Sequence, residues 1–378
     1  MHSWTKPLIL AINPGATSTK IGLHDGDGWR LRQVLPHSPE ELSGFDSVID
    51  QYPYRLALVR RALAENQVGP GALAAVVARG GLPRPGPGGT YAVNEEMLAD
   101  LRACRYGIHV SNLGPIIAYD IARPLGIPCF IVDPVTTDEL WPLARISGMP
   151  DLERSNLTHA LNMKAVARRV ASELGRSYGE LNLITVHLGT GISVAAHHRG
   201  RMVDVVSGNE EGPFSPDRPG TLPAWSLVKL CYSGKYTFAE MKRLMNGEGG
   251  LSAYLGTKDV RTVEERIRAG DEQARLVLDA MCYQVAKYTG AMACALGGRV
   301  DHIIITGGIA HSDYVVSRIC ERIGFLAPVT VLPGEEELEA LVEGALRVLR
   351  GEETARVYSG VEPAGACSGE GVEPGALD

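Results

Sequence analysis

Two stretches of this chain end an apolar run in a polar residue and then a glycine. Leu8–Gly15 reads LILAINPG and Leu181–Gly189 reads LNLITVHLG. Aligned on the glycine, Asn13 falls on His187, Gly15 on Gly189, and Ile9–Ile12 on Leu183–Val186. Small and hydroxyl residues follow each glycine, Ala16–Lys20 (ATSTK) and Thr190–Ser193 (TGIS), and a second run then reaches a turn, HDGDG at 24–28 and HHRG at 197–200. Each copy reads as a β-hairpin with a Gly/Ser/Thr-lined tip. Glycine lets backbone N–H groups approach an anion closely, and hydroxyls add donors. One such tip alone is an ordinary turn. Two in one chain predict two similar halves gripping one polyphosphate.

A third segment strengthens that reading. Asp301–Ala310 is DHIIITGGIA: three isoleucines and then Thr-Gly-Gly predict a buried strand turning tightly into a helix. Such a turn brings helix N–H groups to a nucleotide. A plain strand–helix connection would look the same in isolation.

The elements that position these tips follow from the rest of the chain. Residues 1–35 read as the first hairpin and a further strand. Phe45–Ala64, Asn94–Cys104 (from an Asn cap) and Ser111–Leu125 read as helices, Ala74–Val77 and Pro128–Asp133 as strands, and RGGLPRPGPGG (79–89) as a loop. Arg154–Leu174 reads as one long amphipathic helix. After the second hairpin come the Asp217–Pro223 loop, helices at Trp225–Tyr232, Thr237–Asn246 and Val263–Arg268, a long buried helix Asp271–Leu296, and a last helix Glu336–Arg350. The tail from Gly351 to Asp378 is rich in Gly, Pro, Glu and Ala and reads as a flexible extension. Strands alternating with helices predict an α/β protein, and the repeated hairpin predicts two related halves with a cleft between them.

Bulk properties bound the function. At 378 residues two domains are expected. A net charge of −7 gives no footprint for nucleic acid. No stretch of about 18 uninterrupted apolar residues marks a membrane span, and the N-terminus carries no recognisable signal peptide. Seven cysteines with no CxxC pair fit neither a disulfide framework nor a zinc site, and suit a reducing cytoplasm.

With these segments in view, the chain resembles the superfamily of acetate kinase, sugar kinases, heat-shock 70 ATPases and actin. Within it the chain is similar to the butyrate and branched-chain fatty acid kinases. The likeness rests on INPGATSTKIG (12–22), VVARGG (76–81), HVSNLGPIIAYDIA (109–122), LTHALNMKAVARR (157–169), HLGTGISVAAH (187–197), EGPFSPDRPGTLP (211–223), IITGGIAHS (304–312) and LPGEEELEALVEGALRVL (332–349), and runs from about residue 8 to 350. Asn13 stands where sugar kinases and actin-like ATPases carry Asp. Thr190 replaces a glycine of the butyrate kinase HLGGG. Val76 stands where acetate kinases carry an arginine, and Arg79 is the butyrate kinase arrangement.

The resemblance implies two duplicated ribonuclease H-like domains, the actin-like ATPase fold, divided as 1–135 plus 337–350 and 136–336. It implies reversible transfer of the γ-phosphoryl group of ATP to a short fatty acid such as butyrate, with Mg²⁺, giving ADP and an acyl phosphate. Kinases for branched acids, propionate or acetate, and an inactive ATP-binding regulator, are the alternatives. A homodimer or higher homo-oligomer is implied as well. A carboxylate is already ionised at pH 7, so the chemistry needs positive charge and alignment rather than a general base. Arg79 and Arg218, in the loops ARGG and DRPG, fit the substrate carboxylate and the moving phosphoryl group, because a guanidinium matches either edge with two donors. His159 and His109 stand at helix starts, where a phosphate is favoured or a histidine simply caps. His187 ends a strand and either holds its loop or meets phosphate. By resemblance Asn13 contacts substrate or phosphate, Ser18 and Lys20 lie near the β/γ-phosphates, and Gly189, Thr190 and Gly191 form the second tip. Gly307, Gly308, Ile309, Asp259 and Arg261 are then the nucleotide stretch. Asp133 and Glu336 are the implied metal carboxylates, with Glu335 and Glu337 as neighbours that a one-residue slip would exchange.

Overall fold

The computed structural model describes residues 7–207 and 210–360. These residues divide into two compact units, the first comprising 7–137, 160–162 and 336–360, the second 138–159, 163–207 and 210–335.

The first unit is built on β1 (Leu8–Pro14), β2 (Ser18–His24), β3 (Trp29–Pro36), β4 (Leu73–Arg79), β5 (Thr90–Ala92) and β6 (Cys129–Val132). With the short strand Arg356–Val357 they form one sheet in the order Arg356–Val357, β5, β6, β4, β1, β2, β3. Every residue of β1 is buried, as expected of a strand covered on both faces. Leu8, Leu10 and Ile12 join a core with Leu56, Val59, Met97, Leu113 and Ile116 from the helices Tyr52–Glu65, Glu95–Arg102 and Leu113–Ala122. The other face meets the helix Glu337–Leu349. There Gly344 presses on Val132, where an added Cβ would stand 2.7 Å from Val132 Cγ1, so only glycine lets the helix sit this close.

The second unit repeats the plan. Its strands β7 (Asn182–Leu188), β8 (Ile192–His198), β9 (Arg201–Ser207), β10 (His302–Gly307) and β11 (Val329–Pro333) run in the order β11-β10-β7-β8-β9. In both sheets an antiparallel three-strand meander is followed, beside its first strand, by parallel neighbours: β1 pairs with β2 and β4 as β7 pairs with β8 and β10. Ile184, Val186, Val194 and Ile305 pack on the long helix Glu272–Ala295 through Leu278, Met281 and Val285, while Leu183 and Ile304 pack on Val170 and Ala171 of the helix Ala160–Glu173.

Four expectations need correction. The helix expected from Phe45 begins at Tyr52, after a single tight turn at Ile49–Gln51. The long helix starts at Ala160, not Arg154: the Arg154 guanidinium is committed to Glu211, Asp204 and the Ala144 and Val205 carbonyls, which holds its segment out of helical geometry. Chain order continues past 350, because Arg356–Val357 adds to the sheet and Tyr358 is 5% exposed, its hydroxyl donating to Asp100 at 2.7 Å and accepting from the Arg84 N–H at 3.0 Å. The rest of the expected flexible tail, 361–378, lies outside the described residues. Ser111–Leu125 is also not one helix but Leu113–Ala122 flanked by single tight turns. No helix among the described residues is long and apolar enough to cross a membrane.

Candidate active site

In the first unit the hairpin tip and two strand ends carry the chemistry. Asn13, 4% exposed, sits across from Lys20 in the β1–β2 ladder. Its amide nitrogen donates to Glu337 Oε2, while its buried Oδ1 finds no hydrogen-bond partner among the described residues. Arg79 ends β4, and its Nη1 stands 2.5 Å from the other oxygen of Glu337, while its own buried Nε has no partner among the described residues. Asn13 and Arg79 are therefore brought together on one carboxylate. A buried polar atom with no partner is costly, so the orphaned Oδ1 and Nε mark where a ligand would complete the cluster.

His109 caps the turn before Leu113–Ala122. Its Nδ1 accepts the Ser111 N–H at 3.2 Å, which places the proton of the neutral ring on Nε2. Desolvation first, and the positive charge of Arg79 second, hold its pKa below the ordinary histidine value. Ser18 is half-buried at the tip and Lys20 is exposed. Asp133 is 1% exposed, has a left-handed backbone (φ 37°), and accepts the Gly89 N–H on Oδ1 at 2.7 Å. A non-glycine residue held in that region stores strain, which is common where function fixes a side chain. Glu336 is exposed and opens the last helix. Glu337, one residue on, meets the predicted substrate residues instead.

In the second unit His187 is fully buried at the end of β7. Its ring stacks on that of His159, 3.9 Å between centroids at 13°, and its Nε2 lies 3.0 Å from Glu335 Oε1. His159 Nδ1 is 3.1 Å from the Ser193 hydroxyl of β8, so both rings are tied to the second hairpin. A buried ion pair underlies this arrangement. Lys164, on the helix that His159 precedes, puts Nζ 2.7 Å from Glu139 Oε2, which also accepts the Met202 N–H at 2.7 Å; the two side chains are 2% and 5% exposed.

Gly189 faces His187 and Glu335. Gly191 is covered by Arg218, whose Cζ would stand 3.1 Å from an added Cβ. Arg218 is further held by Asn246 Oδ1 at 3.3 Å from its Nε. Thr190, Asp259, Arg261, Gly308 and Ile309 all line one pocket of 610 Å³, a size suited to a small ligand. Asp259 caps the helix Val260–Arg268 and pairs with Arg261, which lowers its pKa, and Ser312 caps the helix Asp313–Ile323. Both helix starts thus border the pocket and favour negative charge there. Gly307 is not among the lining residues; it packs on the Leu188 backbone instead.

Sequence reasoning missed Glu337 as the shared partner of Asn13 and Arg79, and Glu335 as the partner of His187. It also missed the pocket residues Glu264 and His311. Among the described residues no group of three or more His, Cys, Asp or Glu gathers to hold a metal.

Residues 154–334 match the model of the acetokinase family. The probable butyrate kinase 2 of Caldanaerobacter subterraneus subsp. tengcongensis is 50% identical over 350 residues, 93% of this chain and 99% of that protein. Among solved structures, the acetate kinase of Porphyromonas gingivalis matches with a TM-score of 0.74 at 22% identity, over 91% of this chain and 100% of that one. A propionate kinase from Francisella tularensis subsp. tularensis matches with a TM-score of 0.68 at 18% identity, over 89% and 98%. At those identities the two structures show the shared fold, that of the actin-like ATPases.

Proposed function

The chain belongs to the acetokinase family, in its butyrate kinase branch, and from that premise we propose that it transfers the γ-phosphoryl group of ATP reversibly to butyrate or a related short fatty acid, yielding ADP and the acyl phosphate. The observation that carries this reading is Arg79 holding the carboxylate of Glu337 at 2.5 Å. The side-chain carboxylate shows what that guanidinium can bind, and the acid substrate presents the same group.

Each residue then has a task. The acid arrives ionised and needs no base. Arg79, with His109 beside it, orients the carboxylate. The neutral His109 offers a donor without adding a charge that would trap the product. Arg218 and His159 meet the phosphoryl group, where charge spreads over the equatorial oxygens in the transition state. Asn13, Ser18 and Lys20 serve the β/γ-phosphates. The second tip (His187, Gly189, Thr190, Gly191) and the 610 Å³ pocket serve the rest of the nucleotide.

Mg²⁺ commonly binds through one or two carboxylates plus substrate phosphates rather than in an all-protein cage. The buried, conformationally fixed Asp133, with Glu336, suits that habit. We assign both to the metal, which when bound would draw negative charge off the phosphates.

We further assign the chain to a homodimer or larger homo-oligomer in the cytoplasm. Support comes from the helix Ala224–Cys231, none of whose residues is buried, and from Trp225, Tyr232 and Phe238, which are 71%, 89% and 85% exposed. Every cysteine among the described residues is a free thiol, as suits a reducing compartment. Light scattering on the purified chain reads the assembly directly.

Trapping acyl phosphate with hydroxylamine, in the presence of ATP and Mg²⁺, tests the reaction over acetate, propionate, butyrate, isobutyrate and isovalerate. The expected signal peaks at butyrate or a branched acid and falls at least 100-fold in Arg79→Ala. No signal with any acid while ATP still binds would point to a regulatory ATP-binding protein. Survival of Arg79→Ala within a few-fold would remove Arg79 from the site.

A further inference from the structure

Arg55 is the largest fully buried side chain of the described residues, at 0% exposure, and none of the predicted site includes it. It projects from the helix Tyr52–Glu65 to the back of the first hairpin tip. Nη1 donates to the carbonyls of Gly15 (2.9 Å) and Ser18 (3.3 Å) and to the Thr19 hydroxyl (3.1 Å), and Nη2 donates to the Ala16 carbonyl (3.3 Å). Gln51 Oε1 accepts from both Nε (3.0 Å) and Nη2 (2.8 Å), which fixes the plane of the guanidinium. No carboxylate pairs with it among the described residues. The Thr19 hydroxyl, accepting from Arg55, also lies within hydrogen-bond distance of His37 Nε2 at 2.9 Å, so the contact is held from a second side.

The trans peptide makes this arrangement consequential. C=O and N–H of one peptide point in opposite directions. With the carbonyls of Gly15 and Ala16 drawn inward onto Arg55, the N–H groups of Ala16 and Thr17 must face outward, and both residues are exposed. Two successive outward N–H groups make a concavity for an anion. Were these peptides free to flip, carbonyl lone pairs would face the phosphates instead. The buried cation adds a second effect, since an unpaired charge in a low-dielectric interior is screened little.

We propose that Arg55 is a positioning residue for phosphoryl transfer: it holds the tip 15–19 with two N–H groups presented to the nucleotide's polyphosphate, and lays an unneutralised positive charge beneath it. This rests on the acyl kinase reading for the identity of the anion.

The test compares Arg55→Gln, Arg55→Lys and Gln51→Ala in the full chain, by the hydroxylamine assay and by calorimetric titration of ATP and of adenosine. In Arg55→Gln, kcat/KM for ATP falls at least tenfold and ATP affinity falls with it, while adenosine affinity and the KM for the acid stay within threefold. Arg55→Lys, which keeps the charge and fewer donors, lies between. Gln51→Ala, which frees the guanidinium to turn, moves the same quantities at least threefold. Losses shared equally by adenosine and ATP, or Arg55→Gln within threefold of the parent, overturn the proposal. Should the Arg55 variants not fold, Gln51→Ala decides: a parent-like ATP dependence overturns it and a selective loss supports it. An inactive parent would sink the acyl kinase reading, and the two titrations would still decide the role of Arg55.

Discussion

Gly191→Ala offers a sharp test of Arg218 because the three atoms nearest the added Cβ all belong to the Arg218 guanidinium. An added Cβ would press directly on Nη1 of Arg218, with Cζ at 3.1 Å and Nη2 at 3.6 Å. Non-bonded heavy atoms rest at about 3.5 Å, so the guanidinium has to retreat by about 1 Å. The cost in stability is small, since the far end of a flexible side chain yields and Gly191 has none of the positive φ values that alanine resists. The cost in rate is not small: a displacement of about 1 Å at a reacting centre is worth roughly 100-fold, or about 2.7 kcal/mol in the barrier. We expect kcat in the hydroxylamine assay to fall roughly 100-fold and the melting temperature to shift by no more than about 2 °C. Because the alanine acts through Arg218, adding it to Arg218→Ala should cost nothing further. Full additivity of the two losses, or a Gly191→Ala enzyme within threefold of the parent, would show that Arg218 does not act from this position.

The buried Lys164–Glu139 pair gives a second test: Lys164→Met or Glu139→Leu alone should cost about 3–5 kcal/mol in urea unfolding, because each strands a buried charge, while the double change should recover most of that loss. A third concerns pH. Burial first, and Arg55 second, lower the His37 pKa from 6.5 to about 4. The unfolded chain then binds the extra proton between these values, so this stabilisation is complete above pH 6.5 and disappears as pH falls toward 4, a swing of about 3 kcal/mol at most. Unfolding curves of His37→Gln across pH 4–7 should lack that slope, and an unchanged slope would assign it to other groups.

Sequence patterns were informative wherever one residue type leaves the backbone little choice. Gly15 and Gly189 mark hairpin tips, and Ile303–Ile305 marks a strand buried on both faces. Patterns were least informative where a single long-range contact decides. Leu157 extends the helical period backwards, yet Arg154 is pinned by four acceptors and the helix starts at Ala160. The composition of 351–360 is polar, yet the pairing of Arg356–Val357 with β5 and the two partners of the Tyr358 hydroxyl order it. Arg55 falls in a helix like any surface arginine, and only the fold reveals that its face is inward. Asn13 and Arg79 could be singled out by the aligned hairpins, the ARGG loop and the family resemblance; their shared carboxylate could not, because 324 residues separate Asn13 from Glu337.

Glu335, Glu336 and Glu337 look interchangeable as letters, yet Glu335 meets His187 while Glu337 meets Asn13 and Arg79, and the boundary between the two compact units falls directly after Glu335. A gain or loss of one glutamate here would leave the composition almost untouched while handing each carboxylate its neighbour's address. The run therefore carries no redundancy: Glu335 and Glu337 have different destinations, and a length change at this point should be tolerated far less readily than a conservative substitution.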